Sequence, residues 1–350
     1  MLPGLQLLAT GRFIAEDFCR LQTVANWRHV STLSFSARAV YYRRVPILAR
    51  ILTLLLCGPL LSHSAETFRV ATYNVQNYLD APIGTRPAKS DIAKAKIRES
   101  IRATKADVIA LQEMGGTNAL LELRLSLKRD GCDYPHWELV HAWDTNIHVA
   151  ILSKFPMVAR RSHTNDSFLL FGKRHYVKRG FAEVDIRVNE RYTFTLLTAH
   201  LKSKLTVFDA DEQELREEEA AMLREKVDAI LSARPNANLV VAGDMNDTRD
   251  SKAVRTILGA ARKNVLIDTR PAEQNGDDKP NNNPRYPAPQ ITWTHYFGKE
   301  DTYRRIDYIL VSRGMAREWV TNETLIVKTP NWGIGSDHRP IVATFATEDR

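Results

Sequence analysis

Cysteine is scarce in this chain. Of 350 residues, only Cys19, Cys57 and Cys132 carry a thiol. Long apolar runs are missing too. The strongest, "ILTLLLCGPLL", contains a proline and falls short of the roughly 20 residues that a membrane-spanning helix needs. There is no Gly-x-x-x-x-Gly-Lys-Ser/Thr loop to cradle a nucleoside triphosphate, and no Gly-x-Ser-x-Gly elbow to present a nucleophilic serine. ATP hydrolysis and serine-based acyl transfer are therefore disfavoured. A strong excess of one charge is also lacking over most of the chain. The net charge is +8, but residues 1–65 hold seven arginines, no lysine, and only Glu16 and Asp17. That stretch accounts for +5 and leaves +3 for the rest, so the high pI is mainly a property of the leader.

The leader has a recognisable order. "YYRRVPILAR" is basic, "ILTLLLCGPLL" is apolar and "SHSAE" supplies small residues. This is the order of a secretory signal peptide. Cleavage near Ser64–Glu66 is expected, with an uncleaved anchor as the alternative. Leu56 stands where a lipoprotein signal wants a small residue, so Cys57 is not read as a lipid attachment site. Two regions follow: residues 1–65 as extension plus signal peptide, and residues 66–350 as a single exported domain, periplasmic or extracellular. Only Cys132 survives cleavage, so no internal disulfide framework forms and burial alone must stabilise the core.

The mature part alternates strand-like and helix-like segments. "FRVATYNVQNY", "ADVIALQEM", "WELVHAW", "HVAILSKFP", "ANLVVAGDMNDT", "RRIDYILVS" and "DHRPIVATF" read as strands. "GFAEVDIRVNERYTFTLLTAHLKSK" reads as a hairpin turning at Asn189–Glu190. Ser90 is placed to cap a helix carrying Ile92, Ile97 and Ile101. A long acidic helix with Leu215, Met222, Leu223, Val227 and Ile230 as its apolar stripe ends before Pro235. The Pro- and Asn-rich stretch between Arg270 and Ile291 reads as a surface loop. "FLLFG" (Phe168–Gly172) suits either a membrane-touching loop or a buried hairpin end.

Several apolar strands end alike. Asn74, Glu113, His200, Asp244 with Asn246 and Asp247, Asp307, and Asp337 with His338 each adjoin a strongly apolar run. If the strands pack as neighbours, these groups converge. Buried carboxylates then need a cation or imidazole partners. The donors are carboxylates, amides and two histidines, with no cysteine. Such hard oxygen ligands select Mg²⁺, with Mn²⁺ or Ca²⁺ as alternatives. The combination fits metal-assisted attack of water on a phosphoester.

The set "TYN", "LQE", "TAHLKS", "GDMND", "RIDYILVS" and "SDHRPI", in this order, resembles the endonuclease/exonuclease/phosphatase superfamily over nearly all of residues 68–346. The resemblance implies an α/β fold, a four-layer α/β/β/α sandwich of two packed mixed β-sheets flanked by helices. It implies Glu113 as the central metal ligand, with Asn74 and Asp337 on the metal side. Asp244 becomes the candidate base, Asn246 and His200 phosphate contacts, and His338 a phosphate-contacting imidazole oriented by Asp307. A carboxylate partner for His200 is expected, with Asp144 as the candidate. Arg179 and then Lys202 are candidates for a further phosphate contact. Trp293 stands where the family often has an aromatic, although a core tryptophan reads equally well. The implied activity is that of a divalent-metal-dependent phosphodiesterase, with nucleic acid favoured and a phosphatase or sphingomyelinase-like activity as the alternative. Arg174, Lys178, Lys204, Arg304 and Arg305, with Tyr296 and Tyr303, would serve a nucleic-acid substrate. A non-catalytic binder would lack Glu113, Asp244 or His338, and all three are present. No protein partner is evident and a monomer is expected.

Overall fold

The structure is a computed structural model, and it describes residues 66–208, 210–259, 264–273 and 292–350. All of these fall in one of the chain's two compact units, Ser62–Arg350. The leader expectation and most of the Pro- and Asn-rich loop lie outside the described residues. Among the described residues no helix is long and apolar enough to cross a membrane.

In chain order the elements begin with β1 (Thr67–Tyr78), α1 (Asp91–Thr104), β2 (Val108–Met114), α2 (Thr117–Arg129), β3 (His136–Val140), β4 (His148–Ser153) and β5 (Met157–Arg160). They continue with β6 (Ser167–Leu170), β7 (Lys173–Tyr176), β8 (Phe181–Arg187), β9 (Thr193–His200), α3 (Glu212–Ala233), β10 (Leu239–Asp244) and α4 (Lys252–Leu258). The last are β11 (Ile267–Asp268), β12 (Ala272–Glu273), β13 (His295–Phe297), β14 (Thr302–Arg304), β15 (Asp307–Val311), β16 (Leu325–Ile326) and β17 (Ile341–Ala346). A seven-stranded sheet runs β12-β16-β17-β1-β2-β4-β3 and a six-stranded sheet runs β11-β15-β10-β9-β8-β5. Both are mixed. β1 pairs parallel with β2 and antiparallel with β17, and β10 pairs parallel with β9 and antiparallel with β15.

Period-two alternation sorts the side chains into layers. Phe68, Val70, Val108, Ala110, Leu196, Val240, Ala242 and Ile309 belong to one buried cluster between the sheets. The intervening Ala71, Tyr73, Ile109 and Leu111 pack with Ile97, Ile101, Leu120 and Leu123 of α1 and α2. On the other sheet, Leu197, Val241 and Leu310 pack with Leu223, Val227 and Val254 of α3 and α4. The result is the expected helix, sheet, sheet, helix sandwich.

Some expectations need correction. Ser90 caps α1 through Ala93 N–H, but Ile92 is exposed and only Ile97 and Ile101 face the core. In α3, Met222 is only half-buried, while Arg216 and Glu219 join the buried face. Ala272–Glu273 adds a short strand beside β16 where a loop was expected, and Glu273 holds Arg339. The last strand starts at Ile341, so Asp337 lies in a bend and His338 in an isolated bridge before it. "FLLFG" is split: Phe168 is buried, whereas Leu169 and Phe171 at the tip of the β6–β7 hairpin are exposed. α2 went unread because its apolar residues are spaced among polar ones without a side-chain cap.

Candidate active site

The alternation that buries apolar groups between the sheets also delivers the polar ones. Val70 and Thr72 lead to Asn74, Val108 and Ala110 to Gln112, Leu196 and Thr198 to His200, and Val240 and Ala242 to Asp244. All four end residues are buried. Asp307 and His200 are the register partners of Asp244 on its two sides. Beneath them Gln112 ties the sheets together, accepting from Thr72 Oγ1 and donating to Thr198 Oγ1, each at 3.2 Å.

Glu113 breaks the alternation. It follows the inward Gln112 and should point toward the helices. Its φ of 60° turns it instead into the cluster, a backbone conformation that L-residues adopt at some cost. Its carboxylate accepts from Asn74 Nδ2 at 3.3 Å and from Asn77 N–H at 2.9 Å, and lies 4.0 Å from His200 Nε2. Gln76, Asn77 and Asn246 share this positive φ around the same site. Gly243, at φ 143°, precedes Asp244 because a Cβ there would collide with the carbonyl oxygen of Ala199.

Asp244 is the hub. One oxygen accepts from Asn74 Nδ2 at 2.9 Å and faces His200 Nε2 at 3.5 Å and His338 Nε2 at 3.8 Å. The other accepts Asn246 N–H at 2.8 Å. Burial, then the neighbouring Asp307, push its carboxyl up to about 7. His338 is gripped at Nδ1 by Asp307 at 2.9 Å. Burial alone would lower its pKa, but Asp307, with Asp244 and Asp337, raises it to about 10. His200 has no such grip: burial, then Arg179, holds it well below its ordinary value, and its Nδ1 is buried without a partner. Asp337 faces His338 at 3.9 Å and His295 at 3.7 Å. Burial would raise its carboxyl, yet the two histidines keep it below the usual range.

Asn246 donates to the carbonyl of Leu201 at 2.9 Å, and Arg179 Nη1 donates to the same carbonyl at 3.0 Å. Arg179 therefore borders the cluster, and Lys202 lies beyond it with its amine turned to the carbonyls of Ser203 and Leu205. Asp144 is not the partner of His200. Its carboxylate accepts Asn146 and Ile147 N–H and lies 3.6 Å from Arg179 Nε. Trp293 stacks under the guanidinium of Arg339, with Tyr303 and Trp332 against it. Arg305 is bound to Asp268 and Lys204 lies beside Asp247.

Two residues went unseen in the sequence. His295 bridges to His338 through the backbone, with the rings 4.5 Å apart. Lys89 donates to the carbonyls of Val75 and Gly335, and burial lowers its amine to about 8 against the pull of Glu113 and Asp337. His295 had one signal, its place beside Trp293 in a short polar run. Lys89 had none, since it lies in a loop.

The donor set fits a hard divalent cation. Glu113, Asp244, Asp307 and Asp337 crowd together, and His338 and Lys89 do not neutralise them. Two overlapping groups, His295–Asp337–His338 and Asp244–Asp307–His338, each bring their ligand atoms within 4.8 Å of one another. Both contain His338, which Asp307 keeps protonated, so the oxygen donors left for a cation are Glu113, Asp337 and Asn74. An oxygen-rich, cysteine-free cluster of this kind suits Mg²⁺, Mn²⁺ or Ca²⁺.

No curated protein matches the chain in a sequence search. Several solved structures match its fold. The human nocturnin catalytic domain with bound sulfate aligns at a TM-score of 0.57 and 17% identity, over 81% of this chain and 95% of that one. Sphingomyelinase C from Streptomyces griseocarneus aligns at 0.53 and 18%, over 80% and 99%. Truncated TDP2 from Caenorhabditis elegans aligns at 0.51 and 14%, over 80% and 97%. These likenesses carry the sandwich fold. The model of the endonuclease/exonuclease/phosphatase family matches residues 71–338, a span that runs from the residue after Val70 to His338 itself. With that match across most of its length, the chain belongs to the endonuclease/exonuclease/phosphatase family.

Proposed function

We propose that this protein is an exported, divalent-metal-dependent phosphodiesterase acting on nucleic acid. The observation that carries the reading is the position of Asp244, held by Asn74 and facing both His200 and the Asp307-bound His338. A carboxyl near pH 7 at the centre of a phosphoester site is suited to take the proton of an attacking water. His338, kept protonated by Asp307, donates to a phosphoryl oxygen as charge builds there. His200 stays neutral and contacts the phosphate from the opposite side. Asn246 supplies an amide on the Arg179 side. Glu113, Asp337 and Asn74 are the residues that would hold the metal, which when bound polarises the phosphoryl group and activates water. The order basic, apolar, small in the leader supports export.

One observation favours a second reading, a phospholipid substrate. Leu169 and Phe171 stand 64% and 79% exposed on the β6–β7 hairpin, next to Lys173 and Arg174. Exposed apolar groups rimmed by cations suit a lipid surface. The purified protein should hydrolyse plasmid DNA or RNA in the presence of Mg²⁺, and Asp244→Ala and His338→Ala should not. Hydrolysis of sphingomyelin vesicles without any nuclease activity would select the lipid reading. Inactivity toward every phosphodiester with Mg²⁺, Mn²⁺ and Ca²⁺ would refute the enzyme reading.

A further inference from the structure

Beside the phosphoester cluster, on the Arg179 side, lies a cleft of about 400 Å³. Its walls come from the β3–β4 loop, the β7–β8 turn, the segment after β9 and α3, and include Trp143, Tyr176, Lys178, Arg179 and Lys202. This volume falls within the range of about 300–1,000 Å³ usual for small-molecule pockets. We propose that this cleft is a subsite for a nucleobase adjoining the scissile phosphate, which makes the enzyme selective for nucleotide substrates. The proposal rests on the nucleic-acid reading above.

Three observations carry it. Trp143 and Tyr176 stack with centroids 3.8 Å apart and planes 25° apart. Trp143 is 48% exposed, so the stack is open to a third ring. Two packed rings form a rigid platform, and every base has a π-face to lay on it. Second, Arg179 lines the cleft while only 8% exposed. Asp144 lies 3.6 Å from its Nε. Held by Asp144 and the Leu201 carbonyl, the guanidinium fixes a positive charge in the cleft wall, where it favours an anionic or carbonyl-bearing ligand. Third, the platform and the catalytic hub are linked. Trp143 is followed by Asp144, which faces Arg179. Arg179 and Asn246 share the carbonyl of Leu201, and Asn246 N–H binds Asp244. A phosphate at Asp244 would thus have its neighbouring sugar and base beside Arg179 and the rings.

Glu219 acts as a positioning residue. It is buried, and burial raises its carboxyl against the pull of Arg179. It accepts the N–H of Lys202 at 2.6 Å and that of Lys178 at 3.5 Å, fixing two walls of the cleft from α3. The cleft thus carries three cations and two carboxylates beside its rings, with Leu205, Val207 and Leu215 as an apolar edge, a mixed lining that suits a flat, polar-rimmed heterocycle.

The test uses the full-length protein and two readouts. The first compares kcat/KM for a dinucleoside monophosphate and for the same phosphodiester with one base replaced by hydrogen. Wild type should prefer the base-bearing substrate by roughly five- to hundredfold, the span that stacking of one base supplies. Trp143→Ala should erase that preference and Trp143→Phe should restore most of it. The second readout is tryptophan-fluorescence titration with adenosine 5′-monophosphate and with ribose 5-phosphate, in chelator. Wild type should bind the first more tightly, and Trp143→Ala should bind them alike. Hydrolysis with no base preference in wild type, or a preference that survives Trp143→Ala, overturns the subsite and leaves the phosphodiesterase reading standing. Base-dependent binding without hydrolysis of any phosphodiester upholds the subsite and overturns the phosphodiesterase reading. Equal binding of the two phosphates by wild type, or a difference that Trp143→Ala retains, overturns the subsite.

Discussion

Asp307 holds His338 by Nδ1 at 2.9 Å, while the opposite ring nitrogen looks at Asp244 across 3.8 Å. One carboxylate grips the imidazole and the next, its register partner, is left to the chemistry. Asp307→Asn keeps the shape and removes the charge. The pKa of His338 should fall from about 10, and the alkaline limb of the pH–rate profile should move to lower pH. NMR titration of the His338 ring gives the direct check, and an unmoved limb would contradict the assignment.

The same pair makes stability depend on pH. His338 has a folded pKa of about 10, above its ordinary value of 6.5. Its proton therefore favours the folded state. That contribution is whole below pH 6.5 and is lost as pH rises through 10. The melting temperature of wild type should exceed that of Asp307→Asn most at pH 6, and the gap should close toward pH 11. Thermal melts across this range, without metal, measure it.

Asp244→Asn should lower kcat by about 10²–10⁴-fold, the usual contribution of a general base. Its melting temperature should hold or rise, because one of two facing buried carboxylates is neutralised. Loss of activity together with loss of folding would leave no case for a catalytic role.

A divalent cation should stabilise the fold. Binding to the folded state alone adds about 2.7 kcal/mol at a hundredfold excess over Kd. Mg²⁺ or Mn²⁺ should raise the melting temperature, a chelator should reverse this, and Glu113→Gln should abolish the shift. An unchanged shift in Glu113→Gln would move the metal away from that carboxylate.

Gly243→Ala should destabilise by about 2–4 kcal/mol, because φ 143° and the carbonyl of Ala199 leave no room for a Cβ. Chemical denaturation checks the magnitude. Little change would mean that β9 and β10 are less tightly apposed than they stand here.

Much of this was legible in the sequence, for a physical reason. Asn74, His200, Asp244 and Asp307 continue the inward face of apolar strands, and period-two alternation extends in plain sight to their ends. Glu113 was legible as a strand-end carboxylate, but its metal-side role came only through family resemblance, since its inward turn depends on a backbone angle that no periodicity encodes. Asp337 and His338 were read as the start of the last strand. Asp337 lies in a bend and His338 in an isolated bridge to His295, where alternation does not apply, and both face the same cluster. Lys89 and His295 were missed because loop and short-strand residues reach the site through long-range packing. The partner of Arg179 and the pair Trp143–Tyr176 depend on contacts between distant loops, which spacing along the chain does not reveal.

β1 and β17 lie side by side, with Thr67 opposite Ala346. The hub needs Asn74 from one end of the described chain, and Asp307 and His338 from the other. Residues up to His338 must therefore have left the ribosome before these side chains can meet. Until then the chain carries no assembled cluster. Late closure of the sandwich thus delays assembly of the site.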